Sequence, residues 1–459
     1  MSSSRRWSFV LVLALATAPR LAWYRSHQPD LPPDSYGYLN VAREWRSERA
    51  PKDGWDDRSQ LPWDNQGARL PGYPLFLDLV FIAASHSPTP DAALAAPRRV
   101  LLPGTEVRRW HFQHLQTDEN VRAVQAAQHI LGVAATGVAF MTIVSWSGSV
   151  LAGIVGALVA IGWNPVWIVT YEPSVMGEVL AGVVLVVIVW LLSARSVSPL
   201  REHLAAALCG MAVGIRPPMV LAALPTLAFL VWKRRGDGPA AFTVLIAPLV
   251  VVALLIVNNG VRYRYWGLGS AGGATLISHA AAHPEGLREP LRERGLKLRG
   301  NQFGGQVLLY QLSVEDHRPY LDVAREVGRA ASTYILDHPL WYARSVAEAV
   351  ADFFSPPLRL IPGELNVVRK RFPMMWLALS GSSAALSLAG FGALFMRVPD
   401  AVKLGPMIFI VSGIGLALVA HTENRRFAAP IVPLVLMSGV AVLHRVSCGA
   451  VAGEPDHPR

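Results

Sequence analysis

The chain has 459 residues, of which 52% are hydrophobic and only 16% charged, too little polar surface for an ordinary soluble enzyme of this size. It belongs in a bilayer. The +10 formal charge suits cytoplasmic loops and anionic headgroups, and with no basic stripe interleaved with aromatics it argues against a nucleic-acid partner.

The first apolar run, Trp7 to Tyr24, follows Arg5 and Arg6. It reads as a first span, with a cleaved signal peptide ending near Ala14 to Ala18 as the other reading. Further apolar runs at roughly 123 to 145, 149 to 169, 174 to 193, 203 to 215, 217 to 232, 240 to 257, 373 to 396, 404 to 420 and 427 to 444 bring the predicted helical spans to ten. Strict alternation with a cytoplasmic N-terminus puts Arg195, Arg201, Lys233-Arg234-Arg235, Arg397, Lys403 and Arg445 inside, as the positive-inside bias requires, and both termini with them. The apolar segment Tyr73 to Ala84 is about half the length of a span and carries Asp78, so it is read as lying along the interface. The basic patch Arg98, Arg99, Arg108, Arg109 is left outside. Cys209 lies in an apolar run and Cys448 near the C-terminus, so no disulfide is implied.

Two long hydrophilic segments, about 25 to 120 and 259 to 371, then share the outer face, an arrangement that suits an enzyme building a cleft over the membrane. The predicted organisation is an N-terminal transmembrane module, 1–258, that includes the first outer loop, then the second outer loop, 259–371, and C-terminal transmembrane helices, 372–459. No internal repeat marks a transporter.

In the first loop Tyr38, Ala42 and Trp45 recur at helical spacing, predicting an interfacial helix with aromatics at headgroup depth. Asp34 opens it after two prolines. It can cap that helix, or Ser35 can cap instead and leave the carboxylate free. The stretch Asp34-Ser35-Tyr36-Gly37-Tyr38 with Ala42-Arg43-Glu44, and later Arg69-Leu70-Pro71-Gly72-Tyr73-Pro74, resemble the acidic first-loop motif and the basic proline-containing motif of the GT-C superfamily of integral membrane glycosyltransferases. The similarity is greatest to the bacterial relatives of protein mannosyltransferases and aminoarabinose transferases. Asn164-Pro165 ahead of Glu178-Val179-Leu180, Gly214-Ile215-Arg216-Pro217, Asn258-Asn259 before Gly267, and Glu423-Asn424-Arg425-Arg426-Phe427 with Pro430 and Pro433 match in order over nearly the whole chain. The resemblance implies an all-α polytopic GT-C fold, a polyprenyl-phosphate sugar donor and Asp34 as catalytic acid or base, with single displacement and inversion.

One departure bears on metals. Several GT-C branches carry a paired acid in the first loop, whereas Ser35 and Tyr36 follow Asp34, so a divalent metal is possible but unsupported by such a pair. Asp53, Asp56 and Asp57 could supply carboxylates but read as a solvated turn, and His111-x-x-His114, which on a helix would share a face, reads as a surface pair for want of a third ligand.

The chemistry has its own requirements. Transfer from a sugar phosphate needs a base for the acceptor hydroxyl, which Asp34 fits, and forked donors for the departing phosphate. Arg69, Arg216, Arg262, Arg264, Arg425 and Arg426 form that pool, with Tyr38, Tyr73, His421 and Glu423 beside them; Arg262 and Arg264 can equally be headgroup contacts. Arg216 and Glu178 stand out because a charge at a span centre costs roughly 2.5–3.5 kcal/mol and so seeks a cavity or a partner. They are read either as a structural pair or as a carboxylate orienting an arginine or a sugar hydroxyl.

The sequence is therefore read as a glycosyltransferase of the bacterial cytoplasmic membrane, working on its outer face with a polyprenyl-phosphate-linked sugar. Membrane lipids surround it, and its acceptor is an envelope lipid, polysaccharide or protein. The competing readings are a transporter or flippase for a polyprenyl-linked or anionic lipid, and an envelope scaffold.

Overall fold

The computed structural model describes residues 3–29, 35, 38–39, 41–42, 70–84, 98–101, 108–111, 119–194, 197–269, 275–276, 278–279, 320–354, 373–420 and 427–448. It is a helical membrane protein. Each of the ten predicted spans falls on a helix: α1 (Ser3–Ser26), α3 (Glu119–Ser147), α4 (Val150–Ala157), α5 (Glu178–Leu192), α6 (Pro199–Ile215), α7 (Val220–Lys233), α8 (Ile246–Tyr263), α11 (Pro373–Gly392), α12 (Asp400–Val419) and α13 (Val432–Ser447). Five described stretches are long and apolar enough to cross a bilayer alone, including Ser3–Ser26, Glu119–Ser147 and Asp400–Val419. Outward-facing Trp7, Leu11, Leu249, Leu254 and Val261 are exposed, as expected of lipid-facing helix surfaces.

Between α1 and α3 lie α2 (Gly72–Ala83) and a small hairpin of β1 (Arg98–Leu101) with β2 (Arg108–His111). The strands pair antiparallel, Arg98 opposite His111 and Leu101 opposite Arg108. The fold is helical as expected apart from this short hairpin, which places His111 on a strand and not on a helix, while His114 lies outside the described residues. Four-residue strands carry too short an alternation to stand out in sequence.

Local chemistry sets the helix ends. Gly148 adopts a positive φ of 73° in the turn from α3 to α4, and Ser149 accepts from the Ala152 N–H at 3.2 Å to cap α4. Pro165 has no N–H to continue the helix, and α4 runs on as two π-helical stretches, Leu158–Gly162 and Val166–Tyr171, either side of Asn164-Pro165. Pro217 forces Arg216 into extended backbone, φ −146° and ψ 122°, which ends α6.

Packing fixes helix direction. On α13, Gly439 meets the Leu386 carbonyl and Val435 meets Gly390, both on α11; Leu434 meets Gly405 and Ser438 donates to the Val402 carbonyl at 2.7 Å, both on α12. Rising residue numbers on α11 and on α12 therefore pair with falling ones on α13. Both run antiparallel to it and parallel to each other. Strict alternation fails at this pair, because the 393–399 link, with Ala393 and Val398 buried, doubles back instead of simply reversing the chain. The glycines allow the backbones this approach, as small residues do in membrane helix packing.

The ends that matter lie together. The C-terminal part of α1 meets the start of α3, Gly72 of α2 abuts Gly214 of α6, and Gly269 beyond α8 touches Pro217. Both long polar segments thus leave the bundle at one end. Helical positions Ser35, Tyr38, Val41 and Ala42 are all buried there, so this helix face packs into protein and not among headgroups; Trp45 lies outside the described residues.

Candidate active site

A buried polar network occupies that end of the bundle. Tyr73, fully buried in the first turn of α2, stacks edge-on against Tyr38 at 4.9 Å between centroids and donates to Gln128 Oε1 of α3 at 3.1 Å. Burial, then the Glu178 carboxylate and the Tyr38 phenol, push the Tyr73 phenol well above its usual range, which keeps it a donor. Gln128 in turn donates to the carbonyls of Glu172 at 2.9 Å and Ser174 at 2.7 Å. It ties α2 to the irregular turn that precedes α5.

Glu172 in that turn is fully buried, and its carboxylate accepts from Arg20 Nε at 2.8 Å and Nη2 at 2.6 Å. His129 Nδ1 lies 2.6 Å from Oε2, the oxygen that also accepts from Arg20 Nε, a contact that requires the proton on Nδ1. Arg20 Nη1 also donates to the carbonyls of Ala16 and Gly162, so both its charge and its fork are engaged. Gly132 lacks the methyl that would overlap the Glu172 carboxylate.

Next to this triad stands the predicted pair. Glu178 opens α5, where a helix N-terminus favours a carboxylate, and Arg216 Nη1 approaches its Oε1 at 3.2 Å, a charge contact without the alignment of a hydrogen bond. Both side chains are buried, and the Arg216 guanidinium lies over the Phe427 ring, 4.9 Å from its centroid. Tyr38, Tyr73, Glu178 and Arg216 are thus brought together. Arg264 is exposed in left-handed backbone, φ 52°, just past α8. Asp34, Arg69, His421, Glu423, Arg425 and Arg426, together with the side chain of Arg262, lie outside the described residues.

Sequence reasoning passed over Arg20, His129, Gln128 and Glu172. The signal was available for the two charges: Arg20 stands inside an apolar run and Glu172 ends another, the cost that singles out Glu178 and Arg216. Among the described residues no group of three or more His, Cys, Asp or Glu side chains could hold a metal, and in sequence Asp34 has no adjacent acid.

Neither a protein-family model nor a curated protein matches this chain. Among solved structures it is similar to ArnT from Cupriavidus metallidurans bound to undecaprenyl phosphate, at 12% identity and a TM-score of 0.37, over 98% of this chain and 81% of that one. The apo state of the same protein gives 13% and 0.36, over 100% and 82%. The archaeal oligosaccharyltransferase AglB from Archaeoglobus fulgidus, in complex with an inhibitory peptide and a dolichol-phosphate, gives 10% and 0.42 over 99% of this chain and 53% of that one. At such identities and TM-scores the chemistry of this chain rests on its own residues.

Proposed function

We propose that the chain is a membrane glycosyltransferase that moves a sugar from a polyprenyl-phosphate donor to an acceptor outside the cytoplasm. Asp34 takes the acceptor's proton, the sugar's bond to phosphate breaks as the bond to the acceptor oxygen forms, and the proton and the lipid phosphate leave separately, with inversion at the sugar carbon. Arginines from the pool of Arg69, Arg216, Arg262, Arg264, Arg425 and Arg426 stabilise the departing phosphate, while Tyr38, Tyr73, Glu178, His421 and Glu423 line or orient the sugar site. The setting is a bacterial cytoplasmic membrane with both termini inside.

The observation that carries this reading is the gathering of Tyr38, Tyr73, Glu178 and Arg216 into one network at one bundle end. Asp34 and Arg69 adjoin in sequence Ser35 and Leu70, both buried at that same end. A bundle that only anchored or scaffolded would have no use for buried charges concentrated there.

The test uses purified full-length protein in nanodiscs with a defined polyprenyl-phosphate sugar, reading release of polyprenyl phosphate. Asp34→Asn should lower the rate by roughly 10²- to 10⁴-fold while leaving the protein folded, since the amide keeps the side chain's shape and most of its capping ability. Arg69→Lys and Arg216→Lys should also slow turnover, because Lys keeps the charge but not the planar fork. An Asp34→Asn enzyme within about threefold of wild type would remove the general base from the scheme. No release across donors, together with protein-dependent lipid translocation in vesicles, would favour a transporter.

A further inference from the structure

We infer that a recess between α9 (Tyr320–Asp337) and the turn following α8 binds the phosphate of a lipid, at a position separate from the Glu178–Arg216 pair. The recess is open on one side and offers about 420 Å³. Leu276, Leu321 and Ala324 make its apolar lining, and Arg325, Arg329 and Ser332 stand along it. Tyr265 completes the wall from the other side, held by its own hydroxyl donating to the Gly269 carbonyl at 2.8 Å. Asn259 Nδ2 donates to the Gly267 carbonyl at 2.8 Å, and Gly269 rests on Pro217, the residue after Arg216. The recess is therefore anchored beside the bundle end that holds the candidate active site.

The charges point to an anion. Arg325 and Arg329 are four residues apart and share a helix face. Arg325 meets Asp322 at 3.6 Å with both side chains more than half exposed, a pairing too solvated to neutralise it. Arg329 donates from Nε to the Arg325 carbonyl at 3.4 Å, and among the described residues no carboxylate pairs with it. Two forked donors so placed suit phosphate oxygens.

The apolar surface identifies the ligand as an amphiphile. Arg325, Arg329, Ser332 and Leu336 fall on one stripe of α9, at i, i+4, i+7 and i+11, so the cationic part runs into Leu336, which is 79% exposed. Leu340, 87% exposed, follows at the start of α10 (Pro339–Phe354). The Tyr342 hydroxyl donates to the Leu418 carbonyl at 2.5 Å, at the very end of the spanning helix α12, which sets this hairpin tip at the level where a span leaves the bilayer. A phosphate held by the arginines would thus have its chain directed along exposed leucines toward lipid, whereas a water-soluble phosphate would leave that stripe unused.

The inference rests on the transferase reading for the site's purpose, to hold a phosphorylated lipid beside Arg216, but the binding does not require turnover. It is tested on the full chain in phosphatidylcholine nanodiscs with farnesyl phosphate as probe and native mass spectrometry as readout, and inorganic phosphate as competitor. Arg325→Ala with Arg329→Ala should weaken farnesyl phosphate binding about tenfold or more, and the double Lys variant should recover only part of it. Ser332→Trp, at an exposed position, keeps both arginines but fills the recess and should also block binding there. Thermal unfolding in detergent checks that each variant is folded. Binding by the double Ala variant within about twofold of wild type would overturn the site, and competition by inorganic phosphate at equal concentration would overturn its assignment to a lipid. Farnesyl phosphate binding by a wild-type chain that shows no transferase activity would count against the proposed reaction and leave the recess standing.

Discussion

Glu172 carries more of the architecture than any residue the motifs single out, because its carboxylate holds α1 through Arg20 and α3 through His129 while its carbonyl holds Gln128. Removing one member of a buried ion pair leaves the other charge stranded, so Glu172→Gln or Arg20→Ala should each destabilise the protein by about 3–5 kcal/mol. The paired replacement Arg20→Met with Glu172→Leu should cost less than either single change, since it strands no charge. Unfolding in detergent, followed by circular dichroism, measures both. A single-variant loss below about 1 kcal/mol would mean that water already reaches the pair. Tyr73→Phe removes a neutral bond to Gln128 and should cost only about 0.5–1.5 kcal/mol, while unseating the ring that packs on Tyr38 far less than Tyr73→Ala would.

At the level of helices, the parallel run of α11 beside α12 makes a sharp prediction. Met374, 75% exposed at the start of α11, lies toward the end of the bundle where α13 finishes and α7 gives way to Gly236. In intact cells an impermeant thiol reagent should label Asp34→Cys and Glu315→Cys, and spare both Gly236→Cys and Met374→Cys. Labelling of Met374→Cys together with Glu315→Cys would restore alternation and reverse α11. The existence of each span was legible in sequence, because an apolar run of sufficient length has few other fates. The direction of α11 was not, since it depends on Gly390 and Gly439 meeting partners 45 and 53 residues away (435 − 390 and 439 − 386), contacts that no flanking charge encodes. The Glu178–Arg216 pair was legible for an energetic reason, whereas His129 and Gln128 were not: a His or Gln on a half-apolar helix does not announce which carboxylate or carbonyl it will reach.

Across the whole molecule, the separation of Arg20 from Glu172 by 152 residues has a consequence in time. A ribosome adding about 5–20 residues per second delivers Glu172 roughly 8–30 s after Arg20, and for that interval α1 sits in the bilayer with an unanswered guanidinium. Its ion-pair partner does not yet exist. An arginine close to a helix end can snorkel toward the headgroups, so the first helix should enter shallowly and settle to its final depth only when α4 and the turn after it have been made. Chains arrested by a stalling sequence before residue 172 should therefore show Leu21→Cys accessible to a soluble thiol reagent, and chains arrested well after it should not. Equal labelling in the two would mean that α1 reaches its final depth without waiting for its partner.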